Sequence, residues 1–217
     1  MMMAVVNANY EFIMVDVGIN GRISDGGVFS YTEFGREFPN KSLNIPEPAQ
    51  LPNSEKRLPF VLLGDDAFAM ADNFMKPYPQ TGLSLDKKIF NYRLSRARRV
   101  VENAFGILVR RFGLFQKQIS LSPKKAQIIV LACCYLHNYL RKRQPRTYIT
   151  WSDIDDEDLQ AGSFTRGAWR EAVVKEGTPL QASASRNAPS SAKTVRDAYC
   201  HFFNNEGQVS WQLKAVS

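Results

Sequence analysis

The sequence predicts an α/β fold, and three observations carry that expectation. YEFIMVDVG at 10–18 mixes aromatic and β-branched residues and runs into a glycine-rich stretch, as a strand ending in turns does. PFVLLG at 59–64 is an unbroken apolar run of the kind found in a strand buried on both faces. Residues 87–111 contain no proline and a single glycine, and they place Leu94, Val101, Phe105 and Leu108 at helical spacing, which predicts a long amphipathic helix.

The remaining elements follow in order. Residues 2–7 are compatible with a short strand and 30–38 with a short helix, while 39–58, with four prolines, reads as a long surface loop. Ser122-Pro123 supplies an N-cap and a proline at the first helical position, opening a second apolar helix over 123–140 that ends in Arg141-Lys142-Arg143, where cations suit the helix dipole. Beyond it the pattern weakens, with an acidic patch at 153–158 and a low-complexity stretch, QASASRNAPSSAK, at 181–193. The expected organisation is therefore a principal domain over 1–143, a flexible acidic and low-complexity linker over 144–194, and a short aromatic segment over 195–217, with a helix over 195–203 docking back on the domain.

Composition narrows the function classes. With 217 residues, 44% hydrophobic and 23% charged, the chain has the make-up of a globular protein with one substantial domain. A net charge of +7 favours an acidic partner, nucleic acid or an anionic membrane surface. No apolar run is long enough for a membrane span, and the start MMMAVVNANYEF lacks a signal peptide's basic region, so no membrane role and a nuclear, or cytoplasmic and nuclear, location are expected. Three cysteines without framework spacing point to reduced thiols. Cys133 and His137 stand one helical turn apart, and Cys200-His201 would be needed to complete a zinc site. Adjacent ligands suit a tetrahedron poorly, so core packing for the thiols and a buried hydrogen bond for His137 are the simpler expectation.

Three acids lie where chemistry would need them. Asp65 ends the second apolar strand, Glu102 lies on the long helix, and Asp25 sits in the glycine-rich turn after the first strand. Carboxylates from separate elements can hold a hard divalent cation with oxygen ligands. The competing readings are plain: an Asp after a strand is often a turn residue, and Glu102 has Arg98 and Arg99 within helical pairing distance. The long helix and its continuation carry Lys87, Lys88, Arg93, Arg96, Arg98, Arg99, Arg110, Arg111 and Lys117 against the single acid Glu102, a concentration able to bind phosphates.

Several ordered blocks decide between these readings. GDDAF at 64–68, KPYP at 76–79, FNYRLSRARRVVENAFGILVRRF at 90–112 and LACCYLHNYLR at 131–141 together resemble the DDE endonuclease domain of Harbinger-type transposases and the domesticated nucleases related to them. VDVGINGRISDGGVFSYTEFG at 15–35 resembles the family's preceding strand and turn, and VSWQ at 209–212 a frequent family ending. The resemblance implies a ribonuclease-H-like mixed sheet flanked by helices, cleavage of DNA phosphodiester bonds, and a divalent metal, Mg²⁺ or Mn²⁺. Asp65 matches the second acid of the triad, Glu102 the third, and Asp25 an additional metal-binding acid. Lys87, Lys88, Arg93, Arg96, Arg98 and Arg99 would contact DNA. Asp66 is expected to cap a following helix and Asp16 to be a structural strand residue.

The sequence also departs from the pattern. The family's first catalytic Asp stands on an opening strand upstream of VDVG, and neither has a counterpart here. The resemblance thus implies an N-terminally truncated domain with an incomplete triad and weak or absent hydrolysis by this chain, a longer gene product being the simple alternative. A non-catalytic DNA- or protein-binding module is the competing function. Full transposases usually carry a separate DNA-binding unit or partner protein, and no such unit is visible in the sequence.

Overall fold

The computed structural model describes residues 2–18, 25–38, 43–158, 163–171 and 188–216. In chain order these form β1 (Met2–Val6), β2 (Phe12–Val17), α1 (Asp25–Tyr31), α2 (Glu33–Glu37), β3 (Ala49–Gln50), β4 (Arg57–Leu58), β5 (Leu62–Leu63), β6 (Phe74–Met75), α3 (Leu85–Arg111), α4 (Pro123–Arg143), α5 (Pro145–Tyr148), β7 (Asp156–Asp158), β8 (Ser163–Thr165) and α6 (Ser190–Asn204). The chain is a mixed α/β protein, as the periodicity predicts. Among the described residues the strands form two-stranded pairs only, β1–β2, β3–β4 and β7–β8 antiparallel and β5–β6 parallel. Among the same residues, no helix is long and apolar enough to cross a membrane.

Two compact units are present, one built from residues 1–22 and 99–179, the other from 23–98 and 180–217, so that α3 contributes its second part to the first and its first part to the second.

In the first unit the β1–β2 hairpin turns through Tyr10, which adopts a left-handed backbone (φ 64°), with the Asn7 Oδ1 accepting the N–H groups of Asn9 and Glu11 inside the turn. The hairpin is held to α4 by side chains that imitate a strand. Asn138 accepts the N–H of Phe12 and donates to its carbonyl, both at 2.8 Å, and Gln127 donates to the carbonyl of Val17 at 2.6 Å. Phe12, Ala104, Leu108, Cys133 and Cys134 form the core between hairpin and helices. Burial raises both thiols, that of Cys134 to about 11, so they behave as packing groups.

His137 is fully buried in this unit and makes the hydrogen bonds expected of it. Its Nε2 lies 2.7 Å from the Tyr10 carbonyl, which can only accept, so Nδ1 is left to accept the Tyr148 hydroxyl at 3.0 Å. Burial pushes the imidazole below its ordinary pKa; the Tyr10 carbonyl opposes this and the Arg141 charge adds to it. The folded chain therefore keeps His137 neutral at a pH where the unfolded chain protonates it. Its contribution to stability is complete above about pH 6.5 and is lost as pH falls from there toward the lower folded value, because the unfolded state then binds the extra proton. Thermal midpoints measured from about pH 8 to about pH 5 are expected to fall on the acid side, and His137→Gln is expected to flatten that fall; an unchanged slope in the variant would remove His137 as its source.

Residues expected to form a flexible linker are built into this unit as far as they are described. Tyr148, Ile149 and Ile154 pack on Ile107. The buried Asp153 carboxylate accepts the N–H and hydroxyl of Thr150 and pairs with Arg110 and Arg111. Burial raises this carboxyl, but the Thr150 bonds and the two guanidinium groups outweigh it and hold the group below the usual range. Asp153 of the acidic patch is thus the partner of the basic end of α3. Most of the low-complexity stretch at 181–193 lies outside the described residues.

In the second unit α6 packs against the first part of α3, as the aromatic pattern of 195–203 predicts. Met75, Tyr78, Phe90, Leu94 and Cys200 form its core. Tyr78 explains the KPYP block: its backbone is clasped by the Asn91 amide, its hydroxyl donates to Asp197 at 2.5 Å, and Arg196 stacks on its ring. The expected single helix at 30–38 is divided between α1 and α2, because the Thr32 Oγ1 caps α2 by accepting the Gly35 N–H. The strand expected at 59–64 is shorter and more open than its apolar run predicts. Only Leu62 and Leu63 pair, and Phe60 and Leu63 are exposed, since among the described residues β5 has β6 alone as a neighbour.

Candidate functional site

Asp65 is placed by three neighbours in sequence. Gly64 donates its N–H to the Met75 carbonyl, and a Cβ there would come within 2.4 Å of the Phe74 ring, so only glycine lets the chain leave β5 at this angle. Phe68 stacks on Phe74 and meets Phe29 edge to face, which anchors the far side of the turn. Between these anchors the Asp65 Oδ1 accepts the Ala67 N–H at 3.0 Å, and Oδ2 lies 3.6 Å from the Arg98 guanidinium. Asp66 does not cap a helix, because a turn and no helix follows it; Asp65 itself provides the turn contact. The Gly-Asp-x-x-Phe pattern is thus a device for holding one half-exposed carboxylate at a strand end.

Glu102 is the outward residue of a block whose other members are consumed by packing. Asn103 is buried and accepts from the Trp169 indole N–H at 2.8 Å and the Asp155 N–H at 3.1 Å. Ala104 lies in the core, Phe105 meets Phe12 edge to face, and a Cβ on Gly106 would fall 2.1 Å from the Trp169 ring. Glu102 takes no part in this; its side chain is half exposed and its carboxylate lies 3.8 Å from Arg170. Arg170 is chiefly committed to the buried Asp155, whose carboxyl burial would raise but which the Arg170 and Gly167 hydrogen bonds bring below its ordinary value.

Asp25 begins α1, and its side chain lies outside the described residues. Asp16 lies within β2, as expected of a strand residue. Asp65 belongs to the second compact unit and Glu102 to the first. Among the described residues, no three His, Cys, Asp or Glu side chains form a metal-binding group. Asp65 and Glu102 match a divalent ion in donor type, being hard oxygens, but the described residues do not match it in number, and each acid already faces a guanidinium.

The basic residues of α3 are more engaged than their count implies. Arg93 stacks 4.0 Å from the Phe203 ring and donates to the Gly207 carbonyl at 2.6 Å, and Arg96 stacks on Trp211 at 4.6 Å. Lys87 lies over Tyr78, Arg98 pairs with Asp65, and Arg99 pairs with Glu157; Lys88 is exposed. The aromatic tail was the signal for these stacked pairs, since Arg and Trp in one polar context commonly meet face to face.

A family model described as DDE superfamily endonuclease matches residues 1–138, a span that holds the Gly-Asp-x-x-Phe turn, the α3 block and all but the end of α4. The chain belongs to the DDE superfamily endonucleases. Members of this superfamily generally use divalent metals. The domain is also similar to Protein ALP1-like of Arabidopsis thaliana, with 24% identity over 164 residues that cover 72% of this chain and 37% of that protein. The chain thus spans little more than a third of the curated relative it matches. No solved structure matches this DDE endonuclease domain.

Proposed function

We propose that this chain is a Harbinger-type, transposase-derived domain that cleaves DNA phosphodiester bonds with Mg²⁺ or Mn²⁺, with Asp25, Asp65 and Glu102 as the metal-binding acids and the ribonuclease-H-like arrangement as its scaffold. The observation that carries this reading is the family match, whose span includes all three acids. Glu102 supports it further, as the exposed member of a block otherwise explained by packing. Lys88, with Lys87, Arg93, Arg96, Arg98 and Arg99, would place the duplex by phosphate contacts, with a nuclear location following from the substrate.

One observation favours a second reading, a DNA- or protein-binding module without catalysis. Arg98 and Arg170 stand against the two described acids, where a cation would otherwise be drawn. Incubation of the purified chain with supercoiled plasmid and Mg²⁺ or Mn²⁺ separates the two. The first reading, with the triad incomplete as the resemblance implies, expects weak nicking that Asp65→Asn and Glu102→Gln each abolish, a loss larger than the roughly 10–100-fold that residues merely supporting a metal site cost. Cleavage that survives both substitutions would refute the assignment of these acids. Binding without cleavage, weakening steeply with salt and losing about one unit of salt slope in Lys88→Ala, would establish the second reading.

A further inference from the structure

Helix α4 presents two opposed faces. One carries Val130, Cys133, Cys134 and His137 into the core of the first unit. A helix so placed is expected to be polar on its other face. Here the exposed positions are Lys124 and Lys125, then Ile128, Ala132, Tyr135, Leu136 and Tyr139, then Lys142 and Arg143. At roughly 100° per residue these fall in one sector about 120° wide, so they form a continuous stripe and not scattered residues.

The apolar centre of the stripe is well exposed: Ile128 is 67%, Tyr135 73%, Leu136 51% and Tyr139 56% open to solvent. It spans about 17 Å along the helix, and the basic ends extend it to about 29 Å. Beside it lies a groove between β2 and α4, lined by Ile13, Met14, Val15, Leu131 and Tyr135, with Ile13 itself 61% exposed. An exposed, contiguous, apolar stripe of this kind marks a binding surface.

Charge decides what binds there. The α4 sequence contains five cations and no acid, and the cations stand at both ends of the stripe. A second copy laid along it, parallel or antiparallel, would bring cations against cations at each end, which disfavours self-association. A phosphate backbone would gain nothing from Ile128, Tyr135 and Leu136. The complementary occupant is an amphipathic helix with an apolar stripe and carboxylates at both ends, docked with one side chain in the β2–α4 groove. We propose that the outward face of α4 is the docking surface for such an acid-ended amphipathic helix of another protein.

The test uses the full chain and two synthetic helical peptides, each with leucines at i, i+3, i+4 and i+7, one ending in paired glutamates and the other in paired lysines. Fluorescence anisotropy is expected to show binding of the glutamate-ended peptide and roughly tenfold or weaker binding of the lysine-ended one. Tyr135→Ser combined with Leu136→Ser is expected to weaken the first peptide roughly tenfold or more, with an unchanged thermal midpoint because both side chains are exposed. Lys142→Glu combined with Arg143→Glu is expected to reverse the preference toward the lysine-ended peptide, a gain that misfolding cannot mimic. The proposal is overturned if the two peptides bind alike or if the serine variant binds as the original does. It is equally overturned if the chain sediments as a dimer that the serine variant dissociates, or if duplex DNA displaces the peptide and itself no longer binds the serine variant.

Discussion

Replacing Phe90 with alanine is expected to lower the unfolding free energy by about 3–5 kcal/mol, the range for removing a fully buried aromatic ring and leaving a cavity. The ring is completely enclosed, 5.2 Å edge to face from Tyr78 and 5.9 Å from Phe203. It therefore joins the KPYP turn, the first part of α3 and helix α6 in one core. Losing it weakens all three contacts together, and collapse is limited because Met75, Leu94 and Cys200 are already packed around it. A denaturant titration should show a lower midpoint at an unchanged slope. A shift equivalent to less than about 1 kcal/mol would mean that the core closes over the space.

Asn103→Ala is expected to cost about 2–4 kcal/mol, since it strips the acceptor from two donors at once, each leaving a penalty of roughly 1–3 kcal/mol if unpaired in a buried place. The donors are the Trp169 indole N–H, on a residue only 7% exposed, and the Asp155 N–H. Beyond stability, Asn103 anchors the segment that carries Arg170, the guanidinium nearest Glu102. A calorimetric midpoint lowered in Asn103→Ala but little changed in Glu102→Gln would separate the packing residues of this block from the one residue packing leaves unexplained. Equal destabilisation by both would make Glu102 a structural residue.

The contrast between these neighbours shows why the site was only partly legible. In ENAFG the sequence displays five residues of similar apparent standing. Asn103 and Gly106 are consumed by Trp169, far along the chain in a stretch without periodicity, and Ala104 and Phe105 by the core around Phe12. The basic face of α3 was legible as a run of charge, but its engagement was not. Arg93 and Arg96 are covered by Phe203 and Trp211, and Arg110 and Arg111 by Asp153, all distant in sequence. Within the segment 144–194 expected to be a linker, the described residues that pack were not legible for the same reason. Short segments without a repeating apolar pattern take their structure from the surface they land on, and Tyr148, Ile149 and Ile154 land on Ile107.

What the sequence by itself determined are the long helices α3 and α4 and the strands β1 and β2. Each rests on a local cause: apolar spacing, β-branched and aromatic content, or a proline at a helix start. What only the tertiary structure decided is which charges remain open and which apolar residues remain uncovered. Asp65 and Glu102 face arginines, most of the α3 cations are matched, and Ile128, Tyr135, Leu136 and Tyr139 are left in solvent. Periodicity reports that a residue is apolar and which face of a helix it shares. Whether anything covers that face depends on elements the helix meets only after the chain has folded.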